Sequence, residues 1–257
     1  MCGIVGYIGD KQVVPILIEG LKRLEYRGYD SAGLAVIDQG RMVIHRSVGK
    51  IKELENAVWG THLGGTIGLG HTRWATHGRP TEENAHPHTD CTGEVVVVHN
   101  GIIENYLALK EKLQAEGHFF RSETDTEVIA HLIEKYLKED RDIEIATRRA
   151  LNDVTGAYAI GVLWKGDPHR MVGAKCASPL VVGLGQGDFF FASDIPAALN
   201  HTRNFLFLED QEMVVLTRDG VHITTLQGEA VERAVEKVLW SPILAEKGGY
   251  KHFMLKE

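Results

Sequence analysis

Residues 1–9 read MCGIVGYIG, and the reading of this stretch decides the fold. Ile4, Val5 and Ile8 are apolar while Gly3, Gly6 and Gly9 carry no side chain, the composition of a buried strand closely approached by its neighbours. Cys2 stands directly behind the initiator methionine. One account is packing, since a buried, inert thiol is the commonest fate of a free cysteine. The other is chemical: removal of Met1 leaves a thiol and a free α-amino group on the same residue. Position alone does not choose between them.

Outward from this stretch, short strand patterns punctuated by glycine dominate. They are CGIVGYI, AGLAVID, RMVIHRS, GTIGLGHT, EVVVVHN, AYAIGVLW, RMVGAKC, PLVVGLG, DFFFASD, EMVVLT and GVHITTL. Four stretches have helical spacing. VPILIEGLKRLEY places Ile16, Leu17, Leu21 and Leu24 on one stripe, with Pro15 in the first turn. LALKEKLQAEG runs to a glycine C-cap at Gly117. TDTEVIAHLIEKYLKE opens with a capping box, Thr124 to Glu127, and buries Val128, Leu132 and Tyr136 or near neighbours; DIEIATRRALNDV is the fourth. So few helices cannot alternate with so many strands, so the class is α+β, stacked sheets with helices on the outer faces.

At 257 residues the chain can bury a substantial core, and 44% hydrophobic with 25% charged residues is an ordinary globular balance. A net charge of −7 without a basic cluster argues against nucleic acid or an anionic membrane as partner. No apolar run is long enough to span a bilayer, and Asp10 and Lys11 interrupt the first apolar stretch before it could act as a signal peptide. Three widely spaced cysteines (Cys2, Cys91 and Cys176) imply no disulfide framework, and a reducing cytoplasm is the expected home.

Several constellations carry chemistry. In HTRWATHGRP (71–80), Arg73 offers a planar fork suited to a carboxylate, and Trp74, Thr76 and His77 could close over a small ligand; alone, the stretch also reads as a strand end turning into a loop. In VVVVHNGIIEN, Asn-Gly is first a hairpin signal, but the Asn100 amide and Gly101 N–H together could also hold an oxyanion. Asp125 falls in the first turn of a helix, where the macrodipole alone accounts for a carboxylate, or else faces a cleft and a substrate ammonium. NAHPHTDC carries His86, His88, Asp90 and Cys91, yet two histidines around a proline give no tetrahedral set and no second pair follows at finger spacing; a structural loop is expected. GLGQG (183–187) lacks a following helix and a P-loop lysine and reads as a turn.

Together these motifs, in order, resemble the glutaminase domain of the glutamine–fructose-6-phosphate aminotransferase family. The resemblance spans essentially the whole chain. It rests on MCGIVGYIG, RLEYRGYDSAGLA (23–35), GHTRWATHG (70–78), NAHPH (84–88), VVHNGIIEN (97–105), SETDTEVI (122–129), SPLVVGLG and FASD. Tyr29 and the HTRWATHG stretch separate it from the related amidophosphoribosyltransferases, which keep the fold.

The resemblance implies an N-terminal-nucleophile (Ntn) hydrolase fold, a four-layer αββα sandwich. It implies that Cys2 becomes the mature N-terminus and the nucleophile, and that Asn100 and Gly101 form the oxyanion hole. Arg73 would hold the glutamine α-carboxylate and Asp125 its α-ammonium, with Thr76 and His77 lining the site and Trp74 on a mobile loop above it. Arg27 would pack near the nucleophile and steady it. No cofactor and no metal are implied. L-glutamine is the implied substrate. Residues 1–240 would form the glutaminase domain and 241–257 a connector toward a sugar-phosphate isomerase domain that this chain lacks. The full-length protein would be a homo-oligomer. An amidase of another substrate and a non-catalytic glutamine-binding module are the competing readings; the first is disfavoured by the Arg73/Asp125 pair, and the second predicts that Met1 is retained. Cys176, unusual before the SPL turn, is expected to be a core thiol.

Overall fold

The computed structural model describes residues 2–61 and 63–239; the expected connector, 241–257, lies outside them. In chain order the first elements are β1 (Gly3–Ile8), α1 (Val13–Arg23), β2 (Ser31–Asp38), β3 (Arg41–Val48), α2 (Ile51–Val58), β4 (Ile67–Arg73) and β5 (His88–Thr89). Then come β6 (Val95–Ile103), α3 (Tyr106–Ala115), α4 (Glu127–Asp140), α5 (Ile143–Asp153), β7 (Gly156–Trp164), β8 (Met171–Cys176) and β9 (Val181–Leu184). The remainder is β10 (Phe189–Ala192), β11 (Asn204–Phe207), β12 (Glu212–Leu216), β13 (Val221–Thr225) and β14 (Glu236–Lys237).

These strands form two antiparallel sheets. One has the order β14-β11-β9-β10-β1-β4-β2-β3 and the other β13-β12-β8-β7-β6-β5. Side-chain alternation along a strand sorts the apolar residues into three layers. On β1, Val5 and Tyr7 join α1 and α2 in one outer core, while Ile4 and Ile8 face the other sheet. On β6, Val96 and Val98 meet them in the middle, and Val95 and Val97 pack under α4 and α5 in the other outer core. The chain is therefore a four-layer αββα sandwich, as the resemblance implied. Its middle layer is thin because glycines let the sheets approach: a Cβ on Gly6 or Gly161 would lie 2.5 or 2.7 Å from the fully buried ring of Phe191.

All eleven expected strands are present. β5 and β14 escape a pattern search because they are two residues long, too short to show a period, and the four-residue β11 was not anticipated. Helix α2 also lacked a signal beyond Ile51, Leu54 and Val58 at i, i+3 and i+7. Pro15 does sit in the first turn of α1. Two local expectations fail. The Asn-Gly pair makes no hairpin, because β6 runs straight through it to Ile103 beside β7. No capping box forms at Thr124; the Glu127 carboxylate instead accepts from the Arg121 and Ser122 N–H groups (2.8 and 2.7 Å), and Thr124 Oγ1 bonds His88 Nε2 (3.0 Å).

Candidate active site

Cys2 immediately precedes β1, a central strand of its sheet, so its backbone is fixed by two flanking strands. Its Sγ accepts from Trp74 N–H (3.2 Å) and faces Trp74 O (3.6 Å). Burial pushes the thiol pKa up, opposed by that Trp74 N–H, which favours the thiolate. Trp74 stays where it is because Gly28, at φ +76°, leaves room for the indole; a Cβ there would lie 2.9 Å from the ring. The RLEYRGYD and HTRWATHG stretches thus meet over the thiol. Asp30 completes the join, accepting from Ala75 N–H (2.6 Å) and donating its own N–H to Arg73 O (2.8 Å).

Arg27 lies beside the start of β1. Its guanidinium donates to Ser193 O (3.3 Å) and approaches Asp194 (3.8 Å), while Ser193 Oγ accepts from Ile4 N–H (3.0 Å). The FASD stretch therefore ties Arg27 to the start of β1.

The opposite wall comes from the second sheet. The Asn100 amide donates to Cys2 O (3.3 Å), and its Oδ1 lies 3.0 Å from His71 Nε2. The same nitrogen reaches His99 O (3.0 Å). Both partners are acceptors, so His71 carries its proton on Nε2 and the Asn100 amide has one consistent orientation, NH2 toward Cys2. Gly101 follows at φ +135°, and a Cβ there would sit 1.9 Å from Ala157 O, so no other residue fits this backbone.

A cavity of about 600 Å³ is lined by Cys2, Arg27, Trp74, Thr76, Asn100 and Gly101, together with Ile102, Glu104, Ala157, Ser178 and Pro179. Arg73, His77 and Asp125 form a buried or half-buried group next to it without lining it. The Arg73 guanidinium donates to the backbone oxygens of His77, Gly78 (3.3 Å) and Arg79 (3.4 Å). His77 Nδ1 lies 3.8 Å from Asp125 Oδ1. Asp125 does not occupy the first turn of α4, which begins two residues later; its Oδ2 accepts from Ile103 N–H (2.8 Å) at the end of β6.

His71, Asp30, Ser178 and Pro179 are members that reasoning on the sequence left without a role, although all four lie within the quoted stretches. His86 and His88, expected in a structural loop, and His99, given no role, join His71 in one buried cluster. His71 stacks on His86 (4.1 Å between ring centroids), His86 meets His88 edge-on (4.6 Å), and His86 Nδ1 accepts from His99 N–H (3.2 Å). Burial lowers all four pKa values, His71 and His88 to about 3, so the imidazoles are neutral. Unfolded, they would take up protons near pH 6.5. For His71 and His88 the unfolded chain thus binds more protons between about pH 6.5 and 3, and the stability present above that window is lost as pH falls through it, by up to about 1.4 kcal/mol per pH unit for each of the two rings, with His86 and His99 acting in the same direction. Urea midpoints measured from pH 7 to 4 should begin to drop near pH 6.5; a flat profile to pH 5 would contradict this account.

Cys91 parts company with the rest of NAHPHTDC. Its thiol joins His118, His131 and Glu134, a group of metal-ligand type taken up below.

A glutamine amidotransferase domain family matches residues 55–240. The chain belongs to that family. Among similar proteins, the glutamine–fructose-6-phosphate aminotransferase [isomerizing] of Methanothermobacter thermautotrophicus is 56% identical over 258 residues, and that of Aquifex aeolicus 54% over 257. Each match covers 100% of this amidotransferase domain and 43% of the relative, so the chain spans about two fifths of the proteins it matches. A solved structure of the glutamine phosphoribosylpyrophosphate amidotransferase from B. subtilis superposes with a TM-score of 0.76 at 26% identity, covering 88% of this chain and 49% of that one. A second, the allosteric regulatory enzyme of purine biosynthesis, gives 0.77 at 27%, with the same coverage. The Ntn amidotransferase architecture is thus shared with both. Among the described residues no helix is long and apolar enough to cross a membrane.

Proposed function

We propose that this domain hydrolyses the side-chain amide of glutamine to glutamate and ammonia, and that the ammonia serves conversion of fructose 6-phosphate to glucosamine 6-phosphate in the full-length protein. The observation that carries this reading is the convergence of the Cys2 thiol, the oriented Asn100 amide and Gly101 on one cavity. The Cys2 sulfur attacks the amide carbon, and its proton passes to the α-amine of Cys2, freed by removal of Met1. An α-amine has an ordinary pKa of about 7.7–8.0, near working pH, whereas the thiol is pushed up by burial and needs a base. The developing oxyanion meets Asn100 and Gly101. The C–N bond breaks, the amine proton leaves with the nitrogen as ammonia, and water cleaves the thioester to release glutamate and the thiol.

Arg73 and Asp125 select the amino-acid head group. To take the α-carboxylate, Arg73 exchanges loop carbonyls for a better, charged acceptor. Thr76 and Trp74 line the cavity that takes the substrate, His77 stands beside Asp125 next to it, and Arg27 holds the nucleophile strand. A connector over residues 241–257 toward a sugar-phosphate isomerase domain, self-association of the full-length protein and a cytoplasmic home complete the reading, the last supported by three free thiols.

The test is glutamate release from glutamine, with intact mass recorded to follow Met1. Asp125→Asn sharpens it, since Asn still accepts from Ile103 N–H but loses the charge. A charge-assisted bond of about 1.5–3 kcal/mol predicts a KM increase of about 10- to 100-fold with kcat less affected. An unchanged KM, or turnover of amides lacking an α-ammonium as fast as glutamine by the parent protein, would refute the assignment.

A further inference from the structure

The chemistry above uses neither Cys91 nor the polar groups packed around it. Cys91 lies in the turn between β5 and β6. Helix α3 ends with Gly117 N–H donating to Gln114 O (3.0 Å) and His118 N–H to Leu113 O (2.9 Å), the paired bonds of a Schellman turn, which delivers His118 beside α4. On α4, His131 and Glu134 are three residues apart and share a face. Three separate segments thus converge.

We propose that Cys91, His118, His131 and Glu134 form a tetrahedral structural Zn²⁺ site. Zinc bonds to sulfur, nitrogen and oxygen of about 2.3, 2.0–2.1 and 2.0–2.2 Å place neighbouring ligand atoms of a tetrahedron about 3.3–3.6 Å apart. The Cys91 Sγ lies 3.7 Å from His118 Nδ1 and 3.5 Å from His131 Nδ1. The two Nδ1 atoms are 3.3 Å apart, and Glu134 Oε2 is 3.0 and 3.3 Å from them. All four atoms lie within 4.8 Å of one another.

Hydrogen bonding alone explains this poorly. Two Nδ1 atoms and one thiol bring at most three protons to five contacts, and the Nδ1–Nδ1 contact requires opposite protonation of two equivalent groups. A divalent cation satisfies every contact at once. A thiolate and a carboxylate neutralise its charge, the thiol proton leaving to water on binding. His118, His131 and Glu134 are buried, and four protein ligands make a closed site, structural rather than catalytic. Sulfur with two imidazoles favours zinc over magnesium or calcium.

The surroundings have the form of a supporting shell. Phe119 N–H donates to Cys91 Sγ (3.4 Å), and His131 Nε2 faces Glu127 Oε1 at 3.5 Å, the carboxylate behind a metal-bound histidine. Glu127 in turn holds Arg121 and Ser122, so zinc would clamp the segment leading into Asp125. The inference stands apart from the glutaminase reading.

The experiment measures metal content of the full chain grown with zinc, beside Cys91→Ser and Cys91→Ser/His118→Ala. About one zinc per chain is expected in the parent after gel filtration, and none in the double variant. Cobalt replacing zinc in the parent should give thiolate charge-transfer absorption and intense tetrahedral d–d bands, a readout that does not depend on any variant folding. Glu127→Gln should weaken zinc about 10- to 100-fold. A parent that holds no zinc, shows no cobalt bands and melts identically with and without chelator would overturn the site. So would stoichiometric metal retained by the double variant.

Discussion

Cys2→Ala is expected to lower glutamate release by on the order of 10⁴-fold or more, with the melting temperature close to that of the parent. The loss is large because, in the proposed mechanism, the sulfur does what no neighbour can replace: it forms the thioester from which glutamate is released. Stability should survive, since alanine removes one half-buried sulfur whose partners are the backbone groups of Trp74. A coupled glutamate assay beside a thermal melt separates the two effects. Equal activity in both proteins would move the nucleophile elsewhere, with Cys91 and Cys176 next to test. An intact mass that keeps methionine in an active parent would remove the α-amine from the mechanism while leaving the sulfur in place.

Asn100→Ala should cost about 10²–10³ in kcat and leave KM nearly unchanged, because an oxyanion donor is used in the transition state more than in the ground state. The surrounding hydrogen bonds permit a sharper comparison. His71 Nε2–H is shared between Asn100 Oδ1 and His99 O, so alanine leaves His71 one partner and the buried wall intact. Asn100→Asp keeps the bond to His71 but replaces the donor with a negative charge beside the developing oxyanion, and should be slower than alanine. If the two variants fall equally in kcat/KM through KM alone, Asn100 binds substrate and does not stabilise the oxyanion.

The layers of the fold were legible where the pattern was long. The apolar run of β1 and the four consecutive valines of β6 each declare a strand buried on both faces, and α4 declares its stripe. What escaped detection was set by distance along the chain. Cys91 and Glu134 are 43 residues apart, so no local spacing reveals that Cys91 N–H donates to Glu134 Oε2 (3.2 Å) or that their side chains share a cluster; His131 and Glu134 at i, i+3 were the one local hint. Asp125 misled because helix-start chemistry and strand pairing draw on the same residue type, and a bond to Ile103 N–H won. The Asn-Gly of β6 misled because glycine was required by Ala157 O on the next strand, not by a reversal of the chain. Resemblance, rather than periodicity, gathered Cys2, Trp74, Asn100 and Gly101 into one cavity, and the packing supplies the reason they meet.

That packing has a consequence for the rim. The thiol belongs to one sheet and the amide beside it to the other, so the gap between them is gauged by whatever spaces the sheets. Phe191, wedged over Gly6 and Gly161, is the shim that sets the gauge. An enlarged residue at either glycine would detune the chemistry from within the core, without touching the cleft.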